Sequence, residues 1–122
     1  MEPQYTREKL LITPEQLENQ IGDPGLCVID VRPAEQFAQG HIPGARRIDE
    51  EALFDGPGLP KTGSQIRAAV GVPEGDEVIA YCHSGSRSAR ATLALRAAGY
   101  HARNYAGSWH EWSRHPELPL AK

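Results

Sequence analysis

Short apolar runs alternate along the chain with stretches in which apolar positions recur every three or four residues, a pattern that predicts strands interleaved with helices. Residues 9–12 (Lys-Leu-Leu-Ile) read as a short first strand. Thr13, Pro14 and Gln16 then mark a helix start, with Thr13 as capping hydroxyl, Pro14 preset for the first turn and Gln16 as the reciprocal arm of a capping box. That helix is predicted over 14–21, closed by Gly22. Residues 26–31 (Leu-Cys-Val-Ile-Asp-Val) are almost continuously apolar, as in a strand covered on both faces of a parallel sheet, and form the candidate central strand. Pro33 opens a short helix through Glu35, Phe37 and Ala38 that ends at Gly40, and His41-Ile42-Pro43-Gly44 reads as a turn into a strand over 45–48. The Gly/Pro-rich segment 55–63 reads as loop, flanked by helical stretches at about 49–54 and 64–70. After a turn at 73–76 comes a second buried strand, 78–81, then the run Cys82-His83-Ser84-Gly85-Ser86-Arg87 and the strongest helix, Ser88 to Ala98, with Gly99 as its cap. A last strand at 102–105 and a Trp-bearing segment at 108–114 complete the chain. The expected architecture is α/β: a mostly parallel five-stranded sheet with helices on both faces, which places ligand sites beyond the carboxyl ends of the strands.

At 122 residues, with 39% apolar and 24% charged positions, one folded domain over 1–122 with its core at about 10–120 is expected. The longest apolar run, Val78 to Cys82, is far shorter than the roughly 18 residues of a membrane span. Met1-Glu2-Pro3-Gln4-Tyr5 has neither a basic nor an apolar leader character, so no membrane association and a cytoplasmic location are expected. Cys27 and Cys82 are too isolated in sequence to suggest a disulfide framework or a zinc site. The net charge of −3 argues against nucleic acid, yet it is unevenly placed. Residues 1–81 carry 7 Lys and Arg against 14 Asp and Glu, whereas 82–103 hold Arg87, Arg90, Arg96 and Arg103 and no acid. A locally basic stretch that begins at a cysteine can attract a small anion.

Cys82 is the candidate nucleophile. A cysteine at the end of a buried strand, followed by a Gly- and Ser-containing turn into a helix, meets the helix N-terminus, a series of backbone N–H groups and the charge of Arg87. All three favour the thiolate over the thiol. Asp30 and Arg32 alternate at a strand end and so share a face, which suits a hydrogen-bonded supporting pair, and Ser88 is a further supporting residue beside the loop. His41 suits a backbone-bonding turn residue, His83 a solvent-facing one, Cys27 a core residue, and Trp109 and Trp112 packing of the C-terminal segment. The histidines show no metal-ligand spacing.

Four segments together resemble a rhodanese domain, the fold of the thiosulfate sulfurtransferases: Val28-Ile29-Asp30-Val31-Arg32, Glu35-Gln36-Phe37, Gly40-His41-Ile42-Pro43-Gly44-Ala45, and Tyr81 to Ala89. A fifth, Gly107-Ser108-Trp109-His110-Glu111-Trp112, resembles the end of the catalytic half of two-domain thiosulfate and mercaptopyruvate sulfurtransferases. The resemblance implies that Cys82 takes the outer sulfur of a donor such as thiosulfate as a persulfide and passes it to cyanide, a thiol or a sulfur-using protein, with no metal or organic cofactor. It also implies that His83, Ser84, Gly85, Ser86 and Arg87 bind the donor, chiefly through backbone amides. The Arg87 side chain reads as holding the sulfonate end of thiosulfate, in preference to a solvated surface charge. Relatives that act on phosphate or arsenate resemble Cys-x5-Arg proteins, whereas four residues separate Cys82 from Arg87 here, a loop better suited to a single sulfur. A sulfur carrier loaded by another protein is the alternative, and a phosphatase or arsenate reductase the more distant one.

Overall fold

A computed structural model describes residues 10–56, 59–73 and 75–122. In chain order the elements are α1 (Pro14–Gln20), β1 (Leu26–Asp30), α2 (Ala34–Gln39), β2 (Arg46–Arg47), a 3-10 turn (Glu50–Ala52), a hairpin of β3 (Phe54–Gly56) and β4 (Leu59–Pro60), α3 (Gly63–Val70), β5 (Glu77–Tyr81), α4 (Ser86–Ala97), β6 (His101–Asn104) and α5 (Ser108–Trp112). The main sheet runs β2-β1-β5-β6 with every neighbouring pair parallel.

The expected fifth strand is not a strand. Lys9 lies outside the described residues, and of the remainder Leu11 makes one isolated parallel bridge to Asn104, beside an Ile12 N–H that donates to the Asn104 carbonyl at 3.3 Å. The chain has no room to extend that pairing, because Thr13 already turns it into the cap of α1. The capping box is complete: the Thr13 hydroxyl accepts from Gln16 N–H at 3.2 Å and the Gln16 side chain accepts from Thr13 N–H at 3.1 Å. An equivalent box, Thr62 with Gln65, starts α3. Such a cap stabilises a helix by about 1 kcal/mol.

Between β2 and α3 the expected helix over 49–54 shortens to the 3-10 turn, and part of the expected loop is the β3–β4 hairpin. Phe54 explains the difference: its ring packs against the core on one side and lies 4.6 Å beneath the Arg90 guanidinium on the other, which holds this stretch extended. Pro57, Gly58 and, in the turn before β5, Glu74 lie outside the described residues.

The central strands are buried on both faces, as their composition requires. On one face Cys27, Ile29, Val31, Val78, Ala80 and Cys82 pack with Ile66 and Val70 of α3 and Ala91, Ala94 and Leu95 of α4. On the other, Val28, Ile79 and Tyr81 pack with Leu17 of α1, Trp112 of α5 and Ile42. Strand alternation therefore sends Cys82 toward α4 and Asp30 and Tyr81 toward the opposite layer. Register matters as much as face: Asp30 lies opposite Tyr81, so the residues following β1 and those following β5 emerge at the same sheet edge.

Candidate active site

Beyond that edge, Val31 N–H donates to the Tyr81 carbonyl at 3.1 Å, and the next residues on either side are Arg32 and Cys82. Cys82 is 3% exposed and adjoins a cavity of about 610 Å³ that Arg32, Gln36, Ser86, Arg87 and Trp109 also line. Its Sγ accepts hydrogen bonds from Gly85 N–H at 3.0 Å and from the Ser88 hydroxyl at 3.4 Å.

Gly85 makes this geometry possible. Its φ of +98° is left-handed, and a Cβ there would stand 2.4 Å from the Ala106 carbonyl oxygen, so a side chain is excluded by both conformation and space. As the residue preceding α4 it lets the helix begin at Ser86, two residues earlier than the sequence predicts, and brings the amides of the first turn under the sulfur. Burial alone would push the Cys82 thiol up. The Ser88 hydroxyl and the N–H groups of Ser88, Gly85 and Ser84 outweigh it, and the thiol lies below its ordinary range.

The loop is clamped from α5. Cys82 N–H donates to Ser108 Oγ at 3.1 Å, Ser108 Oγ donates to the Tyr105 carbonyl at 2.8 Å, and the carbonyls of Cys82 and His83 accept from the N–H groups of Trp109 and His110, each at 2.9 Å. Ser108 holds a φ of +54°, uncommon for a residue with a side chain, and so aims its hydroxyl at the base of the loop.

Arg32 and Asp30 form a buried pair, 3% and 0% exposed. Arg32 Nε lies 3.1 and 3.0 Å from the two Asp30 oxygens, and Nη2 reaches Oδ2 at 2.7 Å and the Gly40 carbonyl at 2.7 Å. The guanidinium also lies 4.7 Å from the Trp109 ring, which makes these residues one wall of the cavity. Burial and the neighbouring Asp30 carboxylate raise the Tyr81 hydroxyl well above its ordinary value, so it stays neutral behind this wall.

The sequence-predicted residues thus divide by place. Cys82, Gly85 and Ser88 are buried and mutually bonded, while His83, Ser84, Ser86 and Arg87 are exposed at the cavity lip. Arg87 is 61% exposed, with Nε 3.9 Å from a Glu50 oxygen. Arg32 forms the wall, with Asp30 buried behind it. His83 stands edge-on to His110 with ring centroids 5.5 Å apart, and His41 stacks on Phe37 while its Nδ1 meets the Phe37 carbonyl at 2.9 Å. Cys27 pairs with Val78, four residues before Cys82 along β5, or roughly 13 Å at a strand's rise, too far for a disulfide. Sequence reasoning gave Trp109 to packing, yet it walls the cavity. It passed over Asn104, whose amide reaches the Gly85 carbonyl at 3.1 Å, and the role of Ser108, because both act across space from elements without a local signal.

A rhodanese-like domain model matches residues 13–115. The chain belongs to the rhodanese-like family. Among its relatives are a thiosulfate sulfurtransferase of Pseudomonas aeruginosa, 33% identical over 88% of this chain and 44% of that protein, and a human thiosulfate:glutathione sulfurtransferase, 35% identical over 70% and 76%. Among solved structures, a human single-domain sulfurtransferase superposes with a TM-score of 0.64 at 30% identity, covering 86% of this rhodanese chain and 96% of the other. A probable thiosulfate sulfurtransferase reaches 0.77 at 33% identity, covering 97% of this chain and 50% of that one. The chain spans less than half the length of several curated relatives it matches. The fold is a parallel α/β sheet flanked by helices, and among the described residues that sheet has four strands rather than five.

Proposed function

We propose that this rhodanese chain is a sulfurtransferase, one domain over about 10–120, that carries sulfur from thiosulfate or a similar donor to a thiophilic acceptor on Cys82. The observation that carries the reading is the Cys82 sulfur: nearly buried, hydrogen-bonded by Gly85 N–H and Ser88, and open to one cavity. The Cys82 thiolate attacks the outer sulfur of thiosulfate. The sulfur–sulfur bond of the donor breaks, its electron pair leaves with sulfite, and a Cys82 persulfide remains, anionic on its outer sulfur. Cyanide or a thiolate then attacks that outer sulfur and Cys82 departs as thiolate, so electrons and charge balance over the cycle. The loop amides that favour the thiolate serve the persulfide anion in turn, by the logic of an oxyanion hole. No step calls for a metal or an organic cofactor. Among the described residues no helix is long and apolar enough to cross a membrane, and a free thiol nucleophile suits a reducing compartment such as the cytoplasm.

A second reading is favoured by one relative, a sulfur carrier protein of Thermus thermophilus, 34% identical over 68% of this chain and 31% of that one. In that case the persulfide is loaded and unloaded by proteins. Thiocyanate formation from thiosulfate and cyanide, with intact mass after thiosulfate alone, tests both. Turnover with a gain of one sulfur atom is the expected result, and a stable adduct without turnover moves the reading to the carrier. No adduct from thiosulfate or 3-mercaptopyruvate overturns the thiosulfate reading and leaves only a carrier loaded by a protein donor, which absence of a sulfur adduct after incubation with a persulfide-bearing protein would overturn in turn.

Arg87→Ala is expected to raise the KM for thiosulfate about two- to fivefold, the scale of one exposed charge, with kcat nearly unchanged. An unchanged KM in steady-state kinetics would remove its side chain from the donor site.

A further inference from the structure

The Ser88 hydroxyl has one proton and two acceptors within reach, Cys82 Sγ at 3.4 Å and the Gly85 carbonyl at 3.2 Å. That carbonyl is already served. It accepts from Ala89 N–H at 3.0 Å in the first turn of α4 and from Asn104 Nδ2 at 3.1 Å, reaching across from the end of β6. A carbonyl offers two lone pairs, so the Ser88 hydroxyl is a third donor at a filled acceptor, and it alone of the three has somewhere else to go. Ser88 is fully buried, so water does not offer it a third choice.

Asn104 is an odd residue for its place. It is 6% exposed at the end of a buried strand, and its Oδ1 has no hydrogen-bond partner among the described residues, an arrangement that costs stability. A flipped amide would turn that oxygen on the Gly85 carbonyl, so the observed orientation is the one the loop selects. What the unmet acceptor maintains is the donor on Gly85.

We propose that Asn104 is a positioning residue: by occupying the Gly85 carbonyl it directs the Ser88 proton to Cys82 Sγ. While Sγ is anionic, before sulfur is taken up and again as the acceptor removes it, the hydroxyl donates to it. The inference rests on Cys82 being the sulfur-bearing nucleophile and assigns the stabilisation of its leaving form to a hydroxyl and an amide on different elements. The lowered position of the Cys82 thiol agrees, since Ser88 contributes to it by both hydroxyl and N–H.

The test is the pH dependence of Cys82 alkylation by iodoacetamide, followed by mass on the Cys82 peptide so that Cys27 does not interfere. The charged and titratable groups around the sulfur are Arg32 with Asp30 after β1, His83 in the loop, Arg87 with Glu50, and His110 on α5, and none is altered by the substitutions used. Ser88→Ala is expected to raise the thiol pKa by about one unit, tenfold less thiolate on the acid side. Asn104→Ala is expected to raise it by about half a unit, threefold less thiolate, and to add nothing in the Ser88→Ala background. Asn104→Val, which suits a strand and also lacks the donor, gives the same readout should the alanine variant not fold. An Asn104 shift of equal size in both backgrounds, or no shift where Ser88 is present, overturns the proposal. Wild-type loading by thiosulfate is measured alongside: its failure overturns the sulfur-transfer reading, while the alkylation cycle decides the Asn104–Ser88 coupling on its own.

Discussion

Cys82→Ser is expected to abolish sulfur transfer, by at least about 10³-fold, and to leave stability within about 1 kcal/mol of wild type. The loss follows because a serine oxygen cannot carry a sulfane sulfur or leave as a stable anion. The fold tolerates the change because the new hydroxyl is close in shape and inherits partners already in place, Gly85 N–H and the Ser88 hydroxyl. The pair of proteins also isolates a linkage. The folded-state pKa of Cys82 lies below its ordinary value, so the anionic sulfur contributes stability above the unfolded thiol pKa of about 8.5, and that contribution is lost as pH falls through the folded value. The stability difference between wild type and Cys82→Ser should therefore grow in favour of wild type as pH rises across that window. Thiocyanate formation and urea unfolding at several pH values measure both, and retained turnover in the serine variant would end the persulfide mechanism.

Arg32→Met carries the largest expected effect on stability, a loss of about 3–5 kcal/mol, because it leaves the Asp30 carboxylate buried without its cation. Asp30 is 0% exposed, and both of its oxygens accept from the Arg32 side chain. The same guanidinium holds the Gly40 carbonyl and faces Trp109, so the cavity wall loosens and transfer slows as well. Asp30→Leu combined with Arg32→Met should recover most of the stability and little of the activity, since it removes the stranded charge without restoring the wall. Urea midpoints decide the matter; a single-variant loss under about 1 kcal/mol would mean that the pair is not what fixes this edge.

What the sequence yields and what it withholds have physical reasons. The runs at β1 and β5 are legible because strands covered on both faces are apolar at every position, and α1 is legible because Thr13, Pro14 and Gln16 state its start locally. Cys82 and its loop announce themselves by the juxtaposition of a buried strand, a glycine turn and a helix. The misses are of another kind. Residues 9–12 have strand composition, but whether a short apolar run forms a ladder depends on how soon the next element begins, and here α1 begins too soon. The β3–β4 hairpin depends on Phe54 meeting Arg90 from α4, and no window around residue 54 contains that information. Ser108 and Trp109 reach the loop from α5 and Asn104 from the end of β6, so their part in the site is visible only once the sheet is assembled.

The pairing of Asp30 with Tyr81 has a consequence in time as well as in space. β1 and β5 are separated in the chain by α2, β2, the hairpin and α3, and their adjacency is a non-local contact that forms slowly compared with a helix. Before they meet, there is no sheet edge, no turn seated against Ala106, and no clamp from Ser108. Cys82 on such a chain is an ordinary thiol, protonated for the most part at neutral pH and slow toward electrophiles and oxidants. Reactivity is thus conferred at the end of folding rather than carried throughout it. A chain newly made or transiently unfolded exposes Cys82 in its least vulnerable chemical form.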